Sequence, residues 1–335
     1  MRSIVNFDDC NEADIRPHDE ILRYIELVGR DIPAFFPESE LRPCACPACG
    51  ERKVGDRFEK LGLSYAECIS CGTLYVQARP GADALDRFYR DSAARKYWRE
   101  ELARVSAAKR RDKIVTPRIY WIEDSIREYR PGAANVVVLN ADGPVLVKDL
   151  GKLKAVGRQV LLHPLCGRDA IPSGIEVVDD AAGEAGLAGR VDALTLFEVA
   201  DRAESVDVLM ERALHLLSPG GLCFITGALA SGFDILTLWD RSESLIPPDR
   251  LNVLTVKGWR SVFERHGFDC LEFSTPGVLD VEVVGSALAH SPDIKVSRFV
   301  RRLMEERDQL SRREFQKFLQ ANLLSSYGRI LLQKK

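Results

Sequence analysis

The chain has 335 residues, of which 46% are hydrophobic and 29% are charged, and its formal net charge is -3. This composition is that of a globular protein with a sizeable core, and it excludes a disordered or collagen-like chain. The near-neutral charge gives no electrostatic footprint for nucleic acid, so we expect no nucleic-acid partner. No run approaches the roughly 20 apolar residues that span a bilayer, and no secretory signal is evident. A cytoplasmic protein without a membrane span is therefore expected.

The pattern of residue types changes three times along the chain. A helical pattern begins near Ile21 and is expected to end at Pro33 and Pro37. We predict four parts: an N-terminal helical extension at 1–40, a cysteine-rich module at 41–77, a helical linker or lid at 78–131, and an α/β domain at 132–335 with a helical insertion at about 295–324.

Short apolar runs alternate with helix-sized segments from residue 135 onward. Runs of this kind are typical of parallel strands that are covered by crossover helices on both sheet faces. The expected strands are 135–139, 159–162, 175–178, 193–197, 222–226, 270–274 and 328–332, with helices at 149–156 and 206–217 among them. The pattern predicts an α/β fold with a doubly wound, mostly parallel, seven-stranded sheet and an antiparallel edge.

Five of the nine cysteines lie in the module at 41–77. Cys46 and Cys49 form one Cys-x-x-Cys pair, and Cys68 and Cys71 form a second. Each pair can supply two thiolates from one tight turn, and four thiolates complete the tetrahedral coordination of a structural zinc ion. Four unrelated thiols or a redox pair are the alternatives. Cys44 could offer another ligand, but its spacing from Cys46 forms a poorer chelating turn.

Several short motifs follow the cysteines in a fixed order. They are Cys71-Gly72-Thr73-Leu74-Tyr75-Val76, Tyr97-Trp98, Gly232-Phe233-Asp234, Ser244, Pro247-Pro248, Leu251-Asn252, Thr275-Pro276-Gly277-Val278-Leu279-Asp280-Val281 and Leu324-Ser325-Ser326. Their order resembles that of class I S-adenosylmethionine-dependent methyltransferases that begin with a zinc ribbon. The resemblance covers roughly residues 41–335.

That resemblance implies a Rossmann-like methyltransferase fold, S-adenosylmethionine (SAM) as cofactor, and a sugar, polysaccharide or natural-product acceptor. In the family a glycine-rich turn after the first strand holds the cofactor, whereas this chain keeps only Gly143, with Asn140 and Asp142 beside it. The acid that binds the ribose at the end of the second strand is replaced by His163. Either Asp179 or Asp180 matches the acid that faces the adenine.

Three residues are candidates for catalysis or acceptor binding. Glu198 follows the fourth strand of the α/β domain, and Arg202 stands four residues later where the family usually has histidine. Arg250 also replaces a family histidine. Each has a plainer interpretation, because Glu198 could be only a polar residue at a strand end and both arginines could be solvated. Arginines at such positions are suited to bind phosphate or carboxylate groups.

Two functions are consistent with these residues. The first is a methyltransferase that holds its cofactor in an altered way. The second is an inactive protein of the same fold that acts as a binding or scaffolding partner in a biosynthetic pathway, because several cofactor positions are changed together. A zinc-ribbon protein that binds nucleic acid is disfavoured by the charge balance.

Overall fold

A computed structural model describes residues 12–141, 144–153, 157–166 and 171–335. The predicted cofactor residues Asp142 and Gly143 lie outside these ranges. Its strands are β1 Arg42–Pro43, β2 Val54–Lys60, β3 Leu63–Cys68, β4 Leu74–Val76, β5 Ala78–Arg79, β6 Asn135–Leu139, β7 Arg158–Leu162, β8 Glu176–Val178, β9 Val191–Phe197, β10 Leu217–Ala228, β11 Asn252–Val253, β12 Phe268–Ser274 and β13 Tyr327–Lys334.

The helices pack against the strands and against one another. They are α1 Glu12–Ile15, α2 His18–Phe35, α3 Ala82–Asp91, α4 Ala93–Tyr97, α5 Ala103–Val105, α6 Ala107–Arg110, α7 Thr116–Tyr129, α8 Pro144–Leu150, α9 Ala181–Leu187, α10 Val199–Arg202, α11 Val206–Leu216, α12 Phe233–Leu238, α13 Val256–His266, α14 Asp280–His290, α15 Arg298–Glu306 and α16 Gln309–Ala321. Two short π-helical segments, Trp98–Leu102 and Arg111–Val115, join the helices between α4 and α7.

The main sheet has seven strands in the order β12-β13-β10-β9-β6-β7-β8. The chain starts in the middle at β6, adds β7 and β8 on one side, and then returns to add β9 and β10 on the other. The predicted doubly wound, mostly parallel, seven-stranded sheet is thereby confirmed. The predicted antiparallel edge is present, since β13 lies between β10 and the edge strand β12 and pairs antiparallel with both.

Strand β6 explains why the apolar runs are uninterrupted. Val137 and Leu139 pack in one core cluster with side chains of α11 and α13. Val136 and Val138 pack on the opposite face with side chains of α7 and α8. Both faces of the strand are covered after Asn135, so the four positions from Val136 to Leu139 are apolar and at most 2% exposed.

A smaller sheet contains the cysteine-rich strands, in the order β11-β4-β3-β2. Strand β11 comes from the α/β half of the chain and pairs with β4, with Asn252 opposite Tyr75 and Val253 opposite Leu74. The cysteine-rich module is therefore joined to the rest of the protein by a shared sheet.

Three helices differ from the expectation. Helix α2 continues through Pro33 to Phe35, so the loss of the hydrogen bond from residue 33 to the Gly29 carbonyl does not end it at once. The helix expected at 149–156 is α8, which begins earlier, and residues 154–156 lie outside the described ranges. The region at 295–324 contains two helices, α15 and α16, which are separated near Arg307. Among the described residues, no helix is long and apolar enough to cross a bilayer.

Candidate functional site

A cavity of about 590 Å³ opens at the carboxyl ends of β6, β9 and β10. Its floor includes Leu139 and Asn140 at the end of β6 and Glu198 just after β9. The order of the sheet reverses between these two strands, which is where doubly wound sheets bind their ligands. The segment 95–121 and helices α12 and α14 complete the walls. The volume is that of a pocket for small molecules, which usually occupies 300–1,000 Å³.

Three strands whose carboxyl ends lie on this side of the sheet are each followed by a residue with a left-handed backbone conformation. Asn140 follows β6 with φ 49°, His163 follows β7 with φ 46°, and Glu198 follows β9 with φ 54°. Residues other than glycine rarely adopt this conformation, and it costs on the order of 1–3 kcal/mol. Strained residues of this kind persist only where the surrounding structure holds them, and they are concentrated at functional sites.

Glu198 is paired with Arg118 of helix α7. Arg118 Nη1 donates to Glu198 Oε2 at 3.2 Å, and its Nη2 donates to Oε1. Thr226 also donates to Oε1, at 3.0 Å. Burial would raise the pKa of Glu198, but the charge and hydrogen bonds of Arg118, together with Arg250 and Thr226, outweigh it and lower that pKa. Glu198 therefore lines the cavity as a carboxylate whose proton-accepting oxygens are already engaged.

Arg250 is paired with Asp201, an acid that the sequence analysis did not single out. Arg250 Nη1 lies 2.9 Å from Asp201 Oδ2, which also accepts a hydrogen bond from the Ala228 amide. Burial raises the pKa of Asp201 to about 6 in spite of this pairing. Burial lowers the pKa of Arg250, but Asp201, Glu198 and Asp249 together raise it above its ordinary value.

A second buried network lies beside this pair. Arg95, which is 1% exposed, donates to the Tyr24 hydroxyl at 3.2 Å, and Tyr24 donates to Asp249 at 2.5 Å. Arg202 lines the cavity, with its guanidinium 5.5 Å from the centre of the Tyr89 ring. Its Nη2 is 3.5 Å from the Asn140 carbonyl. The two predicted arginines thus both border the cavity, at the end of β6 and beside Asp201.

The predicted ribose and adenine positions lie on neighbouring strands and contact one another. His163 Nδ1 is 3.3 Å from Asp179, and its Nε2 is 3.0 Å from Glu184, which is itself paired with Arg212. Asp180 caps helix α9 by accepting a hydrogen bond from the Gly183 amide at 2.7 Å. These three residues are absent from the described cavity lining, and their roles stay predictions.

Leu139 and Ala141, which stand where the resemblance would place glycines, have side chains in the cores, although both residues also border the cavity. Leu139 and Ala141 are each 2% exposed, and their side chains belong to the two core clusters on either face of the sheet. The Asn140 amide donates to the Leu162 carbonyl, which fixes the turn. The side chains of Leu139 and Ala141 therefore lie mainly in the cores and not in the cavity.

The four predicted zinc ligands converge. The Sγ atoms of Cys46, Cys49, Cys68 and Cys71 all lie within 4.8 Å of one another. Cys46 and Cys71 are 3.6 Å apart, and Cys49 and Cys68 are 3.5 Å apart. Four sulfurs at 2.3 Å from a tetrahedral zinc ion would be separated by about 3.8 Å, so the group fits zinc.

Hydrogen bonding between Cys46 and Cys71 raises the pKa of Cys46 and lowers that of Cys71. Cys44 is outside the group of four, and its Sγ lies 3.6 Å from the Val76 carbonyl.

The zinc-ligand loops also hold the segment that carries Arg250. Tyr65 of β3 donates to the Arg250 carbonyl at 2.7 Å, and Thr255 donates to the Cys71 carbonyl at 2.6 Å. Arg79 donates to the Asn252 side chain at 2.8 Å, and Asn252 in turn donates to the Ala200 carbonyl at 2.9 Å. Tyr65 and Thr255 thus connect the cysteine-rich module to the segment that carries Arg250. Arg79, just after the module, and Asn252 connect it to the segment that carries Asp201.

Sequence reasoning missed the partners of the predicted residues. Arg118, Asp201, Asp249 and Tyr327 each complete a contact at the cavity, but they come from four separate segments. Two of them had a nearby signal, since Asp201 lies between Glu198 and Arg202 in the sequence and Asp249 directly precedes Arg250.

Comparison with known proteins returns only distant likenesses. No family model matches the chain, and no curated protein matches it. Solved structures of SAM-dependent methyltransferases do match. One from Mesorhizobium loti has 13% identity and a TM-score of 0.40, and the alignment covers 67% of this chain and 100% of that chain. One from Archaeoglobus fulgidus has 11% identity and a TM-score of 0.39, with coverage of 64% and 94%. Function is therefore inferred from the chain's own residues.

Proposed function

We propose that this protein is a SAM-dependent methyltransferase that acts on a small-molecule acceptor of the carbohydrate or natural-product class. The observation that carries the proposal is the cavity of about 590 Å³ at the reversal point of a methyltransferase-type sheet. Ligands of open α/β sheets bind at this point because the connections that follow the two strands leave to opposite faces of the sheet and open a crevice between them.

The cofactor is proposed to lie over the end of β6. When bound, SAM supplies an electrophilic methyl group. The space left by the buried side chains of Leu139 and Ala141 supports this placement. The proposed cofactor contacts are the residues at the ends of β6, β7 and β8, namely Asn140, Asp142, Gly143, His163, Asp179 and Asp180.

The acceptor is proposed to face Glu198, Arg202 and Arg250. Arg118 holds Glu198 as a carboxylate, and Asp201 holds Arg250 in place, so neither residue is a ready proton acceptor at neutral pH. Their function would be to orient the acceptor, and methyl transfer depends mainly on such alignment. The helical segment 95–121 covers the cavity and would exclude water from it.

Zinc is proposed to be structural. Four protein thiolates fill a tetrahedral shell and leave no position for water or substrate. Its role would be to hold β3 and β4, which in turn hold the Arg250 segment through Tyr65 and β11.

Calorimetric titration of the zinc-loaded protein with SAM tests the proposal. We expect saturable binding that is abolished in Asn140→Trp, because an indole at the end of β6 would occupy the cofactor space. The matched control is Asn322→Trp, since Asn322 is exposed at the end of α16, and it should bind SAM normally.

Absence of heat with wild-type protein at millimolar SAM would contradict the proposal and favour the inactive scaffolding protein. Unchanged binding in Asn140→Trp would show that the cofactor lies elsewhere.

A further inference from the structure

Two acidic residues from separate motifs meet in one wall of the cavity. Asp234 lies in the first turn of α12, and Asp280 begins α14. Both side chains line the cavity, and both residues are 2% exposed. The negative charge of Asp280 acts on Asp234 and, after burial, is the strongest cause that raises the pKa of Asp234, to about 7.

Asp280 is fully engaged by neutral donors. Its Oδ2 accepts hydrogen bonds from Ser325 Oγ at 2.5 Å and from Gln316 Nε2 at 2.7 Å. Its Oδ1 accepts one from the Ser326 amide at 2.6 Å. These bonds join α14, α16 and the start of β13, so Asp280 has a structural function. Neutral donors stabilise its charge but do not cancel it.

Asp234 is less fully engaged than Asp280, although the Ser326 side chain and the Ile235 amide lower its pKa by hydrogen bonding. Its Oδ2 accepts a hydrogen bond from Ser244 Oγ at 3.2 Å, whereas its Oδ1 has no hydrogen-bond partner among the described residues. A buried carboxylate oxygen without a donor destabilises the folded protein, and asparagine would fit the same space without the charge repulsion. Such a group persists where a ligand supplies the missing donor.

Asp280 places a second carboxylate beside Asp234, while basic residues occupy other parts of the cavity wall. Arg16, whose charge lowers the pKa of Asp234, donates to Ser244 Oγ at 3.0 Å and lies 3.8 Å from Glu12. Glu12 and Glu282 also have raised pKa values, chiefly because of burial and with a further contribution from neighbouring acids. A ligand with a positive charge is favoured here over a neutral or anionic one. Ile235, Leu279 and Val283 add apolar walls for a carbon frame.

We infer that Asp234 binds a protonated amino group of the acceptor, whose N–H donates to Oδ1. The inference rests on the proposed function only in identifying the ligand as the methyl acceptor. The amino group supplies a hydrogen-bond donor to Oδ1 and a positive charge beside the two acidic side chains.

Methylammonium is the probe for the test, because it carries the amino group and fits any acceptor pocket. We expect it to raise the melting temperature of the zinc-loaded protein saturably, compared with sodium chloride at equal ionic strength. Methanol, which is neutral, and tetramethylammonium, which has no N–H donor, should not. In Asp234→Asn the apparent affinity should fall about ten- to hundredfold, the usual effect of losing a charged hydrogen bond.

Asp269→Asn is the matched control, because Asp269 is an exposed acid on β12 and should leave methylammonium binding unchanged. Equal effects of methylammonium on wild type and Asp234→Asn would overturn the inference. So would equal effects of methanol and methylammonium on the wild type, a comparison that needs no variant to fold. SAM titration of Asp234→Asn keeps the two proposals separate, since cofactor binding should survive. If methylammonium binds and SAM does not, the methyltransferase proposal fails and the amino-binding site stands.

Discussion

Arg250 and Asp201 form a buried ion pair, with 2.9 Å between Nη1 and Oδ2, at the wall of the cavity. The pair leaves no room for a side chain on the neighbouring strand. A Cβ at position 227 would lie 2.3 Å from Asp201 Oδ1, so Gly227 in β10 is required by this contact. Asp201 therefore joins three parts of the site: the end of β9, strand β10 and the Arg250 segment.

Asp201 should make stability depend on pH. Its pKa is about 6 in the folded protein and 3.8 as the reference for the unfolded chain. The folded state therefore holds the proton more tightly, and stability falls as the pH rises from 3.8 to 6. The free energy of unfolding of the wild type relative to Asp201→Asn should decrease by on the order of 2–3 kcal/mol over this window and stay constant above it. Urea unfolding of both proteins at each pH measures the difference.

Asp207→Asn is the control for that experiment. Burial would raise the pKa of Asp207, but hydrogen bonds from His266 and Arg265 lower it below its ordinary value. Its stabilisation is present above the unfolded pKa and is lost only as the pH falls further. The comparison with Asp207→Asn should therefore be flat between pH 4 and 6. A flat profile for Asp201→Asn as well would contradict the assignment of a raised pKa to Asp201.

Loss of zinc should affect the Arg250 segment as well as the cysteine-rich module. In Cys68→Ser we expect faster amide hydrogen exchange in β3 and β4 and also in β11, because β11 is paired with β4. Strands β6 and β9 should keep their protection, since they lie in the main sheet. Exchange measured by mass spectrometry resolves these regions.

Cys44→Ser is the matched variant, because Cys44 is next to the ligand group but outside it. It should retain one zinc ion per chain and normal exchange. A Cys68→Ser protein that is metal-free and fully protected would show that the site has no structural function.

The Arg118–Glu198 pair should be energetically coupled. Arg118→Met leaves the Glu198 carboxylate half-buried without its partner, and we expect a loss of about 3 kcal/mol in the free energy of unfolding. Adding Glu198→Gln should recover part of this loss, because the unpaired charge is removed. A double-mutant cycle by urea unfolding gives the coupling energy, and additive losses would show that the pair contributes nothing.

Gly232 and Gly186 should respond oppositely to alanine. A Cβ at Gly232 would lie 2.2 Å from the Ser326 Cα, so Gly232→Ala must move backbone and should cost about 2 kcal/mol or more. Gly186 is in helix α9 with nothing near its Cβ position, and Gly186→Ala should stabilise by about 0.5–1 kcal/mol. Thermal unfolding distinguishes them. Equal melting temperatures for the two variants would contradict the close approach of α12 to Ser326.

The parts that the sequence predicted well are those encoded by local patterns. The apolar runs of β6, β9 and β10 identify buried parallel strands, and the doubled Cys-x-x-Cys spacing identifies the four converging thiols. The position of β13 was harder, because an apolar run does not say which strands it will pair with. Its insertion between β10 and β12 depends on contacts across more than fifty residues.

The site itself was predictable only in part. Glu198, Arg202 and Arg250 could be located from the family motifs, but what each one touches could not. Arg118 reaches Glu198 from eighty residues away, and nothing in its own neighbourhood marks it. Asp234 and Asp280 were noticed as members of separate motifs, and only the folded chain places both in one cavity wall.

The insertion of β13 between β10 and β12 also sets an order of assembly during synthesis. Among the described strands, β12 pairs only with β13, and β13 brings Tyr327 to Arg118 and the serines before it to Asp280. Until residues 325–334 have emerged from the ribosome, β10 presents an unpaired edge and the cavity lacks one wall. The nascent chain would then be most exposed to aggregation just before the site closes, and chaperone contacts should concentrate on β10 and β12 at that stage.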